Sequence, residues 1–439
     1  MASRINSILV FLLLLFLPTQ LGKHFFMDFS FINGVRIDYL APTFYLVDIL
    51  ALLLIAFNWK VIWRKIVKLL NCYIATSLNC LIGLLLLVGI NVIGAKEPMM
   101  GLYVVGRLVE MYALFVVFSG RSRNEFGMTK GSFGMTVLVP LFIGSVVELF
   151  LSLSQLITQH SLQGIFYFLG ERAFSVSTPG IATISMFGNQ VLRAYGTFSH
   201  PNSMGGFYLL LYVFVLFTPR FFSLDFARDQ NDKEVGSRNK FGMTTLLRFG
   251  ILVISSCLIL ISFSKVAIVC FVLVNAYSSL KELKLDCRFC KFARVFILGV
   301  VSLIFLSGQS DILSWDKRVL LIKQSFELIA QHPLFGVGLG NSLYYQSGLL
   351  SKLPYSFIQP VHNIFLLFVT EVGIVITGAI VYRMWRSRNK FGMTSMRIVL
   401  LVIVITGFFD HYWLTLIQNQ ILIGVILGMC MRYPETSSG

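Results

Sequence analysis

Long apolar stretches alternate with short polar ones from end to end of the chain. Twelve stretches approach the length of a membrane-crossing helix: 5–17, 40–59, 72–94, 98–118, 137–158, 201–218, 249–263, 266–280, 293–308, 362–383, 398–413 and 416–431. Crossing the hydrocarbon core takes about 20 apolar helical residues. The short alternating segments of a β-barrel are not seen. The pattern therefore predicts an all-α, polytopic membrane protein with about twelve transmembrane helices, built as one integral membrane domain over 1–439. Two polar segments on one side are long, about 159–200 and 309–361. The second is a large outer loop with an amphipathic helix in "WDKRVLLIKQSFELIAQ", where Val319, Ile322, Phe326 and Ile329 recur at helical spacing after Ser314, a candidate N-cap. His332-Pro333 should end that helix, and "FGVGLGN" follows as a glycine-rich turn.

Composition agrees. The chain is 56% hydrophobic and 13% charged, about half the charged share of a soluble protein. A net charge of +16 raises the question of a nucleic-acid partner. The Lys and Arg residues, however, crowd into alternate loops, as the positive-inside rule requires of cytoplasmic loops. That bias puts both termini in the cytoplasm. The first stretch follows Arg4 as a signal peptide would, but Pro18-Thr19-Gln20 stands where small cleavage-site residues belong, so it is expected to remain as the first helix. Cys287 and Cys290 form a lone CxxC with no second ligand pair, and the cysteines are expected to be reduced and structural. "SRNEFGMT" at Ser122 recurs as "SRNKFGMT" at Ser237 and Ser387, with "FGMT" again at Phe133. The spacing is irregular and all copies fall in expected cytoplasmic loops, so an inserted element tolerated by exposed loops is favoured over a docking motif.

Candidate chemistry gathers on the other side. In "RAYGTFSHPNSMGGF", Arg193 precedes a helix that Pro201 can open. Asn202 can serve the first-turn amides, Gly205 and Gly206 permit close approach of a helix or ligand, and the positive helix end beside an Arg suits an anion. Lys265 in "SFSK" and Arg318 in the outer loop add cations at the same level. "VHNIFLLFVTE" places His362 and Asn363 at a span's outer mouth, with Glu371 nine residues deeper. Histidine is the side chain best suited to take a proton near neutral pH, and a membrane carboxylate usually has a partner or a task. Asp410 and His411 in "FFDHYWL" are either a supporting polar site or an interfacial anchor with Tyr412 and Trp413. Arg107 and Glu110, three apart, are expected to pair with each other, while Asp48 and Glu148 have no assignment. No DxD or HExxH pattern stands near this face, so no metal or other cofactor is implied.

Taken in order, "RAYGTFSHPNSMGGF", "SFSK", "RVLLIKQSFELIAQHPLFGVGLGN", "VHNIFLLFVTEVGIVITG" and "FFDHYWL" resemble the O-antigen ligase and O-antigen polymerase superfamily of bacterial cell-envelope glycosyltransferases. The resemblance covers roughly 190–430; the N-terminal half matches only in its helix count. It implies a metal-independent enzyme of the bacterial inner membrane, working in lipopolysaccharide or related polysaccharide biosynthesis. Such an enzyme transfers an oligosaccharide from an undecaprenyl-diphosphate carrier to a glycan, lipid or protein acceptor at the outer face. By the same resemblance Arg193 and Arg318 would bind the diphosphate and His362 would activate the acceptor hydroxyl. Lys265 departs from the pattern, which has Arg there; Lys keeps the charge but loses the bidentate fork. The rival expectation is a polysaccharide transporter or flippase, which would more often carry internal repeats and broken helices in both halves; no such symmetry is seen in the sequence.

Overall fold

In a computed structural model the protein is mostly helical. The structure describes residues 2–71, 77–120, 130–186, 188–218, 236–281, 288–308, 312–349, 358–387 and 394–432. Each of the twelve apolar stretches carries a helix. In chain order they are α1 (Ala2–Phe16), α2 (Leu46–Phe57), α3 (Trp59–Asn71), α4 (Ser77–Ile93), α5 (Pro98–Phe118), α6 (Lys130–Thr158), α7 (Pro201–Phe217) and α8 (Gly236–Ile261). After them come α9 (Lys265–Lys281), α10 (Arg288–Leu306), α11 (Ile312–Gln331), α12 (Ile364–Ser387), α13 (Thr394–Gly407), α14 (Tyr412–Thr415) and α15 (Ile417–Arg432). Among the described residues, four helices are long and apolar enough to cross a membrane. A fifth span is formed if α2 and the first part of α3, bent by 69° at Asn58, count as one.

α7 is the axis of the bundle. From Pro201 to Val215 every residue but Asn202 is buried, because the helix is apolar on all sides and packs against α8, α9, α13 and α15. Its two adjacent glycines seat neighbours: a Cβ on Gly205 would fall 2.6 Å from the Ser262 hydroxyl, and one on Gly206 would collide with Tyr412. α5 lies along α15, and α1 runs between α2 and α6.

Several expectations are corrected. The chain is not purely helical: among the described residues the polar segments carry three two-stranded antiparallel pairs, β1 (Gly22–His24) with β4 (Thr43–Tyr45) and the hairpins β2 (Phe31–Ile32) with β3 (Val35–Arg36) and β5 (Thr183–Met186) with β6 (Asn189–Leu192). Backbone outside a helix must find partners, and short hairpins supply them. Asn33-Gly34, both at positive φ, make the turn between β2 and β3. The stretch 40–59 is helical only from Leu46. Asp410 and His411, expected within a span, lie beyond the end of α13, and His362 lies ahead of α12. Ser314 falls inside α11 rather than before it. The buried face of α11 carries Leu321, Ser325 and Leu328, while Ile322 and Phe326 of the expected apolar stripe are exposed. Apolar spacing alone could not distinguish two adjacent faces. The repeat copies at Phe133 and Ser237 continue α6 and α8 instead of looping. The copies at Ser122 and Ser387 lie almost wholly outside the described residues, as do Cys287 and the side chain of Cys290.

α12 is interrupted at Gly373 (φ 75°, ψ 178°). The glycine-rich turn after α11 fits into the break. Val337 and Gly338 N–H donate to the Thr370 and Glu371 carbonyls, and Ile374 and Val375 N–H donate to Pro333 and Leu334. A Cβ at Gly336 would meet the Glu371 backbone at 2.5 Å, so only glycine fits. Asn91 of α4 clamps the junction from outside, donating to the Phe335 and Glu371 carbonyls and accepting from Leu339 N–H. Irregular backbone inside an apolar bundle requires this kind of internal satisfaction.

Candidate functional site

The "RAYGTFSHPN" segment is a turn held from α6. Gln155 accepts from Tyr195 and Gly196 N–H and donates to the Gly196 carbonyl. Glu148 accepts from the Thr197 N–H and hydroxyl. Gly196 sits at φ 59°, and a Cβ there would collide with the Glu148 carboxylate. This bracing aims Arg193 across the top of α7. Its Nε donates to the Ser262 carbonyl at 2.9 Å and its Nη2 to Asn202 Oδ1 at 2.5 Å. His200 caps α7, its Nδ1 accepting from Asn202 N–H.

Asn202 passes the connection on. Its Nδ2 donates to Asp410 Oδ2 at 2.8 Å, and the other Asp410 oxygen accepts from His411 N–H. His411 Nδ1 lies 2.7 Å from the Thr415 hydroxyl oxygen, while that hydroxyl donates to the His411 carbonyl. The ring proton is therefore on Nδ1 and Nε2 is the acceptor. The His362 ring stands edge-on to His411, centroids 5.2 Å apart. Ligating atoms of His362, Asp410 and His411 all lie within 4.8 Å of one another. His362 Nδ1 is buried and has no hydrogen-bond partner. Asn363 caps α12, accepting from Phe365 and Leu366 N–H, and donates to the Phe408 carbonyl, which pins the two histidine-bearing turns together.

The field in this cluster is set by burial. Desolvation lowers Arg193 to about 10, with Tyr195 and Asp410 opposing and Arg318 adding to the fall, so it stays cationic at neutral pH. Burial pushes His200 to about 3 and His362 well below the ordinary imidazole value; Asp410 opposes in both cases. His411 is lowered by burial as well. Burial works against the Asp410 carboxylate, but His362, His411, His200 and the Asn202 hydrogen bond together hold it well below the usual range. At neutral pH the cluster is one carboxylate, one arginine and unprotonated imidazoles. Arg318, on α11, acts on Arg193, His200, His362 and His411 and so shares their field.

The structure thus joins Arg193, Asn202, Asp410, His411, His362 and Arg318, with Asn363 behind them. It does not join Glu371, whose carboxylate accepts from Gly340 N–H and the Ser342 hydroxyl at the glycine-rich turn. Lys265 is exposed at the first residue of α9, in the turn whose Ser262 carbonyl holds Arg193, but no described contact ties its side chain to the cluster. Two residues of the cluster escape a reading of the sequence: His200, whose signal is its place before Pro201, and Tyr39, whose ring lies edge-on to His411 at 5.7 Å. Arg107 pairs with Glu110 as expected, but also with the unassigned Asp48, at 3.1 and 2.6 Å.

Long apolar helices around a braced polar cluster define a multi-pass membrane protein with a built site. Residues 250–382 match the family model described as O-antigen ligase, so this segment is similar to that family. The matched segment holds Lys265, Arg318, His362 and Asn363; Arg193 and Asn202 precede it, and Asp410 and His411 follow it. No curated protein matches the chain.

Proposed function

We propose that the chain is a glycan ligase or polymerase that moves an oligosaccharide from an undecaprenyl-diphosphate carrier to a glycan, lipid or protein acceptor. The observation that carries this reading is the link from Arg193 through Asn202 to Asp410, beside the unpartnered Nδ1 of His362. A cation for a diphosphate and an unprotonated base stand in one connected network. His362 removes the acceptor hydroxyl proton, and the oxygen attacks the anomeric carbon of the donor sugar. The bond from that carbon to the diphosphate oxygen breaks, and the electron pair leaves with the diphosphate. Arg193 and Arg318 stabilise the charge that develops there, with Lys265 adding to the field at the membrane-facing rim. Asp410 supports the imidazolium that forms, and Asn202, Asn363 and His411 hold the pieces in place.

The proposed step uses no metal, although His362, Asp410 and His411 are close enough to hold an ion and each Asp410 oxygen, with one hydrogen bond, keeps a lone pair. Twelve spans follow if, besides the four long helices and the bent pair, each of the seven shorter apolar helices among the described residues also crosses. With both termini cytoplasmic, the cluster faces outward from the bacterial inner membrane, on the side of the loop that carries α11.

One feature favours the rival transporter reading, the broken α12, since transporters build sites at interrupted helices. Here the chain's own glycine-rich turn fills the break, which leaves no open backbone for cargo. The test is His362→Ala in purified full-length protein given an undecaprenyl-diphosphate-linked glycan. A fall in transfer of about 10²-fold or more is expected, as for loss of a general base. Normal turnover would remove His362 as base; normal turnover combined with vesicle uptake of the lipid-linked glycan would favour the transporter.

A further inference from the structure

Beside the histidine cluster lies a cavity of about 360 Å³ that the proposed chemistry leaves without an occupant. It is enclosed by the segment leading into α2, by α5 and α12, and by the start of α15. It meets the cluster through Tyr39, edge-on to His411, through Thr415, bonded to His411 Nδ1, and through Pro360, two residues before His362. Arg193, His362 and Asp410 do not line it. His411 does not line it either; Tyr39 and Thr415, both in contact with His411, stand in the cavity wall next to the histidine pair. A transferase needs its base between the departing diphosphate and the incoming hydroxyl.

The lining decides what fits. The rings of Tyr39, Tyr45 and Tyr103 share the wall with Asp38, Arg172 and Gln420. Aromatic faces beside groups that both donate and accept suit a pyranose, whose C–H faces stack and whose hydroxyls do both. A polyprenyl tail would strand these polar groups without water or partners. The deep charges are already neutralised: Arg107 by Asp48 and Glu110. Glu371 is held by the Gly340 N–H and the Ser342 hydroxyl. Arg107 and Glu371 thus offer an ionic ligand no free counter-charge; in the wall Asp38 pairs with Arg36, and Arg172 donates to the Ser199 carbonyl. The volume is near the small end of the roughly 300–1,000 Å³ range of small-molecule sites, room for one or two sugar rings.

We propose that this cavity is the subsite for the terminal, uncharged sugar of the acceptor glycan, presenting a hydroxyl to the histidine pair. The word acceptor rests on the transferase reading; the sugar site itself does not. The test is thermal unfolding of the purified full chain in detergent. The probes are the methyl glycosides of glucose, galactose, mannose and N-acetylglucosamine, and separately undecaprenyl diphosphate. At least one glycoside is expected to raise Tm of the unaltered protein and of Arg193→Ala by about 2 °C at ten times its dissociation constant. The rise disappears in Gln420→Ala and Tyr39→Ala. Tyr39 is 38% exposed, so its variant carries the test if Gln420→Ala does not fold. Undecaprenyl diphosphate should stabilise Tyr39→Ala but not Arg193→Ala. No shift from any of the four glycosides, or a shift that survives in both cavity variants, overturns the sugar site. A glycoside shift lost in the cavity variants, with no response to undecaprenyl diphosphate in any protein, keeps the sugar site and overturns the transferase reading.

Discussion

Replacing Asp410 with Asn removes the charge that opposes burial at His362 while keeping the side chain's shape. Burial holds His362 well below the ordinary imidazole value, and Asp410 is the largest influence raising it. The two groups' ligating atoms lie within 4.8 Å. At that separation and an effective dielectric of about 20, unit charges attract by about 3 kcal/mol, so losing the carboxylate lowers His362 further. The sign follows from the base's working form, which is unprotonated. The unaltered enzyme should keep its activity into acid conditions where an ordinary histidine is already charged. In Asp410→Asn the acid limb of kcat/KM moves further toward low pH. The weaker base also lowers the plateau, by about tenfold if half of that attraction appears in the barrier. One of the two hydrogen bonds to Asp410 becomes a donor facing a donor, costing about 1–3 kcal/mol, so Tm is recorded beside each profile. The assay is transfer from an undecaprenyl-diphosphate-linked glycan across acid and neutral pH. A limb that stays in place, or moves toward higher pH, would show that Asp410 does not act on the proton-accepting group, and the role given to His362 would fall with it.

Three further outcomes are expected. Gly196→Ala places a methyl group against the buried Glu148 carboxylate at a left-handed φ; it should lower stability by about 3 kcal/mol or more, and an unchanged Tm would refute the bracing of the Arg193 turn. Arg193→Lys keeps the charge but cannot reach Ser262 and Asn202 together; kcat/KM for the lipid-linked donor should fall about tenfold, with kcat falling because charge on the departing diphosphate is less well held, and an unchanged kcat/KM would argue against the role given to Arg193. Exhaustive dialysis against a chelator should leave transfer unchanged; activity lost and then restored by a divalent cation would show that His362, Asp410 and His411 hold an ion.

Much of this architecture is legible in the amino-acid sequence. The positions of the helices follow from apolar length alone, since a bundle in lipid needs each helix apolar over its exposed surface. Arg193, His362 and Asp410 stand out as polar groups at the mouths of apolar stretches. What the sequence hides is pairing across distance. Nothing in the order of residues says that Asn202 bonds Asp410, 208 positions away. Nor does it say that Glu371 serves the glycine-rich turn rather than the histidines, because a carboxylate on a helix gives no sign of which neighbour approaches it. The buried face of α11 escapes apolar spacing for a related reason: Ile322 and Phe326 are apolar, but in a bundle of this kind apolar residues are as much at home outside as in.

On the proposed reading the matched segment 250–382 should not act alone. It contains His362, the proposed base, but neither Asp410 beside it nor Arg193, the proposed diphosphate-binding cation. Asn202, which connects those two, stands on α7, the most deeply buried helix of the bundle. α8 and α9 inside the segment pack directly on α7, and Gly205 touches the very turn that carries Lys265. A fragment restricted to 250–382 would expose the α7-facing surfaces of α8 and α9 and leave His362 without its charge partner. The polar cluster therefore belongs to the assembled bundle, with the segment contributing His362 and its flanks contributing Arg193, Asn202, Asp410 and His411.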